Sequence, residues 1–133
     1  MELYILENTR TNNFIDPDMY SKITGIWQNV QGRPEVANMV IYGVYHNYES
    51  NYKGDYDLSI ATSSFNTAKK LTVSEQGYTI FKVDRSKENG VFEAWQHIWA
   101  LEESGELDRT YTLDYEKYDV NGEIEIFIAV NRD

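Results

Sequence analysis

Gly122-Glu-Ile-Glu-Ile-Phe-Ile-Ala129 is the stretch from which the fold can be read. Ile124, Ile126 and Ile128 alternate with Glu123, Glu125 and Phe127, the period-two pattern of a half-buried strand. Asn121-Gly122 just before it is a strong hairpin signal, because a tight turn needs residues that tolerate positive φ. Residues 111–118 then supply the partner strand. The first half carries the same design in Gly54-Asp-Tyr-Asp-Leu-Ser-Ile-Ala61, where Tyr56, Leu58 and Ile60 alternate with Asp55, Asp57 and Ser59.

Moving outward, the correspondence continues. Tyr45-His-Asn-Tyr48 matches Tyr115-Glu-Lys-Tyr118, and Ile26-Trp27 matches Ile98-Trp99. Three matches in the same order indicate two copies of one unit. Each copy reads strand–helix–strand–strand: 2–8, 17–29, 38–47 and 55–62, then 78–84, 87–103, 111–118 and 123–130. Asp16-Pro17 resembles an N-cap with Pro at the first helical position, and Tyr20, Ile23, Ile26 and Trp27 follow at helical spacing. The second helix has an apolar stripe of Val91, Ala94, Ile98 and Leu101 and ends at Ser104-Gly105. Residues 9–16, 31–35 and 49–54 read as loops or turns. The expected class is α+β. It is a duplicated strand–helix–strand–strand module with pseudo-twofold symmetry and a mainly antiparallel sheet. Both helices are expected on one side and a ligand cleft on the other. A single domain over 1–133 is expected, with pseudo-repeats at about 1–62 and 71–133.

Composition narrows the chemistry. A chain of 133 residues can bury about two-thirds of its unfolded surface and needs no covalent staple. It has no Cys, which excludes disulfides, thiol catalysis and thiolate metal sites. The two histidines, His46 and His97, show no ligand spacing, so neither a metal nor another cofactor is expected. The start lacks a basic flank and a long apolar run, so a cytoplasmic location without membrane association is expected. A formal charge of −10 disfavours direct nucleic-acid binding and favours the approach of cations. Eleven Tyr and three Trp offer flat apolar faces with polar tips, suited to cores and equally to pockets that stack planar ligands.

Strand alternation places Thr112, Asp114, Glu116 and Tyr118 on one face, taken as the cleft face, with Leu113 and Tyr115 toward the helices. A carboxylate at Glu116 beside aromatic walls would attract a cation by charge and by cation–π contact. Glu125 and Phe127 share a face opposite the isoleucines, either in the cleft or solvated. His46 aligns with Glu116 in the repeat, so it either faces Glu116 across the cleft or pairs with a neighbour in the sheet. Trp95 lies in the core or leans toward the cleft. Trp27 would close one end, and Tyr42, Tyr48 and Tyr118 are wall residues or ordinary sheet packing.

Ile41-Tyr-Gly-Val-Tyr-His-Asn-Tyr-Glu49, Gly54-Asp-Tyr56, Ala94-Trp-Gln-His-Ile-Trp99, Asp114-Tyr-Glu-Lys-Tyr118 and Glu123-Ile-Glu-Ile-Phe-Ile-Ala-Val130 together resemble the gyrase-inhibitor-like, or AraC-type, effector-binding domain superfamily. The nearest branch is the integron-associated effector-binding proteins. The resemblance runs from Arg10 to Val130. It implies a bacterial small-molecule binder with a central cleft, akin to sensing domains of multidrug-responsive transcription regulators that bind cationic lipophilic compounds. It also implies pocket roles for Glu116, Glu125 and Phe127. Relatives often carry Pro in place of Ala129 and Tyr in place of Phe127, and the latter change removes a hydroxyl.

The resulting expectation is a non-enzymatic binder of cationic or aromatic lipophilic molecules. Its binding residues would be Glu116, Glu125, Phe127, Trp95, Trp27, His46, Tyr48 and Tyr118, with no catalytic set. The chain shows no spare length for a helix-turn-helix, so regulation would pass through a protein partner or a homodimer. Two rivals stand beside it. One is a hydrolase of strained electrophiles with Glu116 as general base. The other is an interaction module like the gyrase inhibitors.

Overall fold

The computed structural model describes residues 1–75 and 77–131. Its elements run β1 (Glu2–Thr11), α1 (Met19–Gln31), a 3-10 turn (Pro34–Val36), β2 (Ile41–His46), β3 (Tyr56–Thr62), β4 (Lys70–Thr72), β5 (Tyr78–Lys82), α2 (Gly90–Glu103), β6 (Leu113–Tyr118) and β7 (Ile124–Ala129). All pair antiparallel in one seven-stranded sheet of order β4-β1-β3-β2-β6-β7-β5. The two hairpins β2–β3 and β6–β7 meet at the centre, where β2 and β6 pair from Ile41↔Tyr118 to His46↔Leu113. This is the expected duplicated α+β sheet with two helices.

Boundaries differ for local reasons. The first helix starts after Asp18 rather than at Pro17, because the Asp16 carboxylate takes the Asp18 N–H, the Thr11 hydroxyl and Lys22. Those bonds hold Asp16's pKa down to about 2, with the Lys22 bond the largest influence. β1 runs three residues past the expected end at Asn8, through Thr11, with a bulge between Ile5 and Glu7. The short edge strand β4 has no counterpart in the expected pattern. It holds β1 by three pairs only. Asn121-Gly122 behaves as read: Gly122 has φ +88° and its N–H reaches the Asp119 carbonyl.

The helices cover one face of the sheet. There α1 contributes Ile26 and Val30 to a cluster with Leu6, Tyr56, Leu58 and Ile60, and α2 contributes Trp95 and Ile98 to one with Leu107, Ile126 and Ile128. Burial of these apolar side chains is the main stabilising term. Tyr20, placed on the apolar stripe by spacing, is 78% exposed, and Val30 takes the inward position instead. The other face carries a second cluster, Leu3, Tyr42, Val44, Ala61, Val73 and Tyr115, against which Leu71, Tyr78, Leu113 and Phe127 pack. Among the described residues, no helix is long and apolar enough to cross a membrane.

The second cluster changes the expected placement of the cleft. Leu113 and Tyr115 face away from the helices, into the aromatic layer where Tyr115 stacks on Phe127 at 4.5 Å and meets Tyr42 and Tyr78 edge-on. Alternation then turns Asp114, Glu116 and Tyr118 toward the helices. The Glu116 region therefore lies between the helices and the sheet, not on the face opposite them. Apolar side chains on both faces of these strands made the sequence pattern ambiguous on this point.

Candidate functional site

Glu116 sits mid-strand in β6, paired with Gly43 on β2 and Ile126 on β7. It is 2% exposed. Three side chains from three elements donate to its carboxylate. The Tyr45 hydroxyl and the Trp95 indole N–H reach Oε2 at 2.9 and 2.7 Å, and the Tyr118 hydroxyl reaches Oε1 at 2.7 Å. Burial pushes the Glu116 pKa upward, because a charge in a dry site loses its hydration; the three hydrogen bonds pull it partly back. The same burial, together with the nearby carboxylate, raises the Tyr45 and Tyr118 phenols well above their usual value, so both remain donors at neutral pH.

Gly43 makes room for this arrangement. A Cβ there would lie 3.0 Å from Glu116 Oε1 and 3.2 Å from Trp27 Cζ2. The bare backbone lets the carboxylate and the α1 indole converge over one strand. Trp27 in turn meets the Tyr118 ring edge-on at 5.0 Å, and Trp95 meets Tyr45 edge-on at 5.0 Å.

A cavity of about 500 Å³ opens above Glu116. Tyr45, Tyr56, Trp95 and Trp99 line it, with Phe14, Ile23 and Phe92, and the polar Asn13, Glu88 and Asn89. Phe14 and Phe92 are about half exposed and pack against Trp99 at 5.9 and 6.2 Å. Asn12, 3% exposed, fixes the Phe14 loop: its Oδ1 accepts the N–H groups of Phe14 and Ile15, and its amide donates to the Lys53 carbonyl and Asp55. A second cavity, of about 750 Å³, lies beyond Trp27 and Tyr118 and is lined also by Val30, Arg33, Val36 and Ile41.

Beside Trp95 is a buried ion pair. Arg109 Nη2 donates to Asp114 Oδ2 at 2.8 Å, and both side chains are almost wholly shielded from solvent. Asp114 also accepts the Tyr48 hydroxyl and, at 2.8 Å, the Ala129 N–H. The Arg109 guanidinium lies 4.3 Å from the Tyr111 ring centroid and 5.8 Å from that of Trp95. Its charge is committed to Asp114, with Glu102 3.4 Å from Nη1. Among the described residues, no basic side chain forms an ion pair with Glu116, and no cluster of three or more His, Asp or Glu side chains could hold a metal.

Of the residues singled out from sequence, the structure brings together Glu116, Trp95, Tyr118 and Trp27. Tyr48 lies at the Asp114 pair, lining neither cavity. Glu125 and Phe127 sit on the opposite face. Phe127 is stacked on Tyr115, and Glu125 lies across from Lys82 and Lys117 beside a small rim cavity of about 130 Å³. Tyr42 belongs to that same far layer. His46 does not face Glu116: it pairs with Leu113 across the seam and bonds Ser59 Oγ through Nε2 at 2.8 Å. Burial lowers its pKa, partly opposed by Asp57. The registers explain the misalignment. Leu58 corresponds to Ile126 in the repeat, Leu58 pairs with Tyr45, and Ile126 pairs with Glu116. The counterpart of Glu116 is therefore Tyr45, one residue before His46, and that single step moves the side chain to the other face. Tyr45, Gly43, Tyr56, Phe14, Phe92 and Arg109 were not picked out from sequence, and Asp114 was placed on the Glu116 face without its ion-pair partner. Correct hairpin registration would have found Tyr45; Gly43 follows only from the β2–β6 pairing.

The model of the integron-associated effector binding protein family matches residues 5–130. The chain belongs to this family. Among solved structures, an integron cassette protein from the mobile metagenome of Vibrio cholerae superimposes with a TM-score of 0.79 at 27% identity, covering 98% of this chain and 90% of that one. No curated protein is significantly similar in sequence. Membership of the effector binding family fits a small-molecule site, and in this member the buried carboxylate and its aromatic surround form the strongest candidate for one.

Proposed function

We propose that the protein binds aromatic or lipophilic monocations in the cavity above Glu116, as a sensor or carrier rather than an enzyme. The observation behind this reading is a carboxylate buried among aromatic rings and held by three neutral donors, with no basic partner among the described residues. A cation brought next to it removes the penalty of burying an isolated charge. The faces of Tyr45, Tyr56, Trp95 and Trp99 add cation–π attraction and apolar burial. The cavity volume suits a small ligand. A strong general base needs a lone pair aimed at water. Here Oε2 already accepts two donors and Oε1 one, which favours binding over hydrolysis.

The test is titration of tryptophan fluorescence with phenethyltrimethylammonium and with its neutral analogue, in which carbon replaces nitrogen. The cation should bind at least about tenfold tighter, a difference that Glu116→Gln abolishes. Equal affinity for the two probes in the wild-type protein overturns the charge-anchor reading. A link to transcription through a protein partner is part of the same proposal. Pull-down with and without the cation tests it, and a partner whose retention ignores the cation counts against it.

A further inference from the structure

The two cavities are laid end to end along α1. Met19 and Ile23 border the first, while Trp27, Val30 and Gln31 border the second. These positions step by three or four residues, so one helical face roofs both over about 18 Å. The partition between them is made of side chains. Tyr118 lines the second cavity while its hydroxyl holds Glu116 Oε1, and Trp27 braces the Tyr118 ring from the α1 side. Glu116, which lines the first cavity, is bonded through Oε2 to Tyr45 and Trp95 of that cavity and through Oε1 to Tyr118 of the second. Gly43 keeps the floor beneath the partition free of a side chain.

We propose that the second cavity is a compartment of the same binding site and takes the second apolar arm of a two-armed cation whose charged centre lies at Glu116. This rests on the reading of Glu116 as the anchor. A cation near Oε1 competes with the Tyr118 hydroxyl for that oxygen. Release of the hydroxyl frees the ring to rotate, and ring rotation joins the compartments. The second cavity offers the arm Trp27, Val30, Val36 and Ile41, a largely apolar wall. Its one basic side chain, Arg33, is engaged by Glu7 and the Leu6 carbonyl and so leaves the cavity without a free cation to oppose the ligand.

The experiment compares phenethyltrimethylammonium with bis(phenethyl)dimethylammonium, and the neutral carbon analogue of each, on wild type and on Ala37→Trp. Ala37 is exposed and lines only the second cavity, so an indole there fills the compartment without disturbing the core. The two-armed cation should bind at least about tenfold tighter than the one-armed one, and Ala37→Trp should remove that gain while leaving the one-armed affinity unchanged. The gain should be smaller between the neutral analogues, which cannot draw Oε1 away from the Tyr118 hydroxyl. If cations and neutral analogues bind alike but the gain remains, the charge anchor fails and the second compartment stands. No gain, a gain that Ala37→Trp does not touch, or loss of both affinities in Ala37→Trp overturns the second compartment. Failure of every probe to bind overturns both.

Discussion

At the residue scale, the proposed role of Glu116 predicts opposite pH dependences for folding and for cation binding. Its folded-state pKa lies above the ordinary 4.5, chiefly through burial. A group raised in this way stabilises the fold fully below its unfolded pKa, and the contribution is lost as pH rises through the folded value. Wild type should therefore lose stability relative to Glu116→Gln as pH climbs from about 4.5, which urea unfolding at a series of pH values reads directly. Affinity for a cation should move the other way, rising over the same window as the carboxylate ionises, and the neutral analogue should show no such rise. A flat cation affinity across that window would contradict the assignment. Gly43 makes a separate prediction. Gly43→Ala forces a methyl to within 3.0 Å of Glu116 Oε1 and 3.2 Å of Trp27 Cζ2, so the carboxylate or the indole must shift. The expected cost is about 1–3 kcal/mol of stability together with weakened cation binding. Unchanged unfolding and unchanged titration would show that the crowding is relieved without consequence.

At the scale of elements, the Arg109–Asp114 pair fastens the segment leading into β6 to the neighbouring strand β7 through the Ala129 N–H. Arg109→Met leaves Asp114 buried beside Tyr48 with no cation. The loss should be about 3–5 kcal/mol, measured by denaturant unfolding, because an uncompensated buried charge costs more than the pair contributes. The elements themselves were mostly legible in the sequence. Alternation in Tyr56–Ile60 and Ile124–Ile128 and the Gly122 turn placed the two hairpins, and the helical spacing of Ile23, Ile26 and Trp27 and of Val91, Ala94, Ile98 and Leu101 placed both helices. The short β4 was not legible, since three residues of edge pairing leave no periodic signal. Glu116 was legible as a candidate, but its side of the sheet was not. β6 has Tyr115 buried on one face and Asp114 and Glu116 buried on the other, so hydrophobicity alone misassigns the helix-facing side. His46 was misplaced because matching Tyr45-His-Asn-Tyr48 to Tyr115-Glu-Lys-Tyr118 by letters is one residue out of step with the strand register, and in a strand one residue exchanges the faces.

For the whole molecule, the excess of acids, with a formal charge of −10, surrounds a site that already carries a buried carboxylate. The field should speed capture of cations, so the association rate of phenethyltrimethylammonium should fall several-fold from about 0.01 M to about 1 M salt while the dissociation rate changes little. Stopped-flow fluorescence separates the two; a dissociation rate that carries most of the salt effect would refute steering. The duplication has its own meaning here. Tyr45 and Glu116 are equivalent positions of the two repeats, brought together across the β2–β6 seam by a hydrogen bond of 2.9 Å. Two identical halves, as in a symmetric pair of separate chains, would carry the same residue at both places. Two acids there would repel and share a proton, and two tyrosines would provide no charge at all. Two halves in one chain are free to differ, so one carries the acid and the other the hydroxyl that steadies it. An unequal pair of this kind lies beyond the reach of any homodimer built on the same axis.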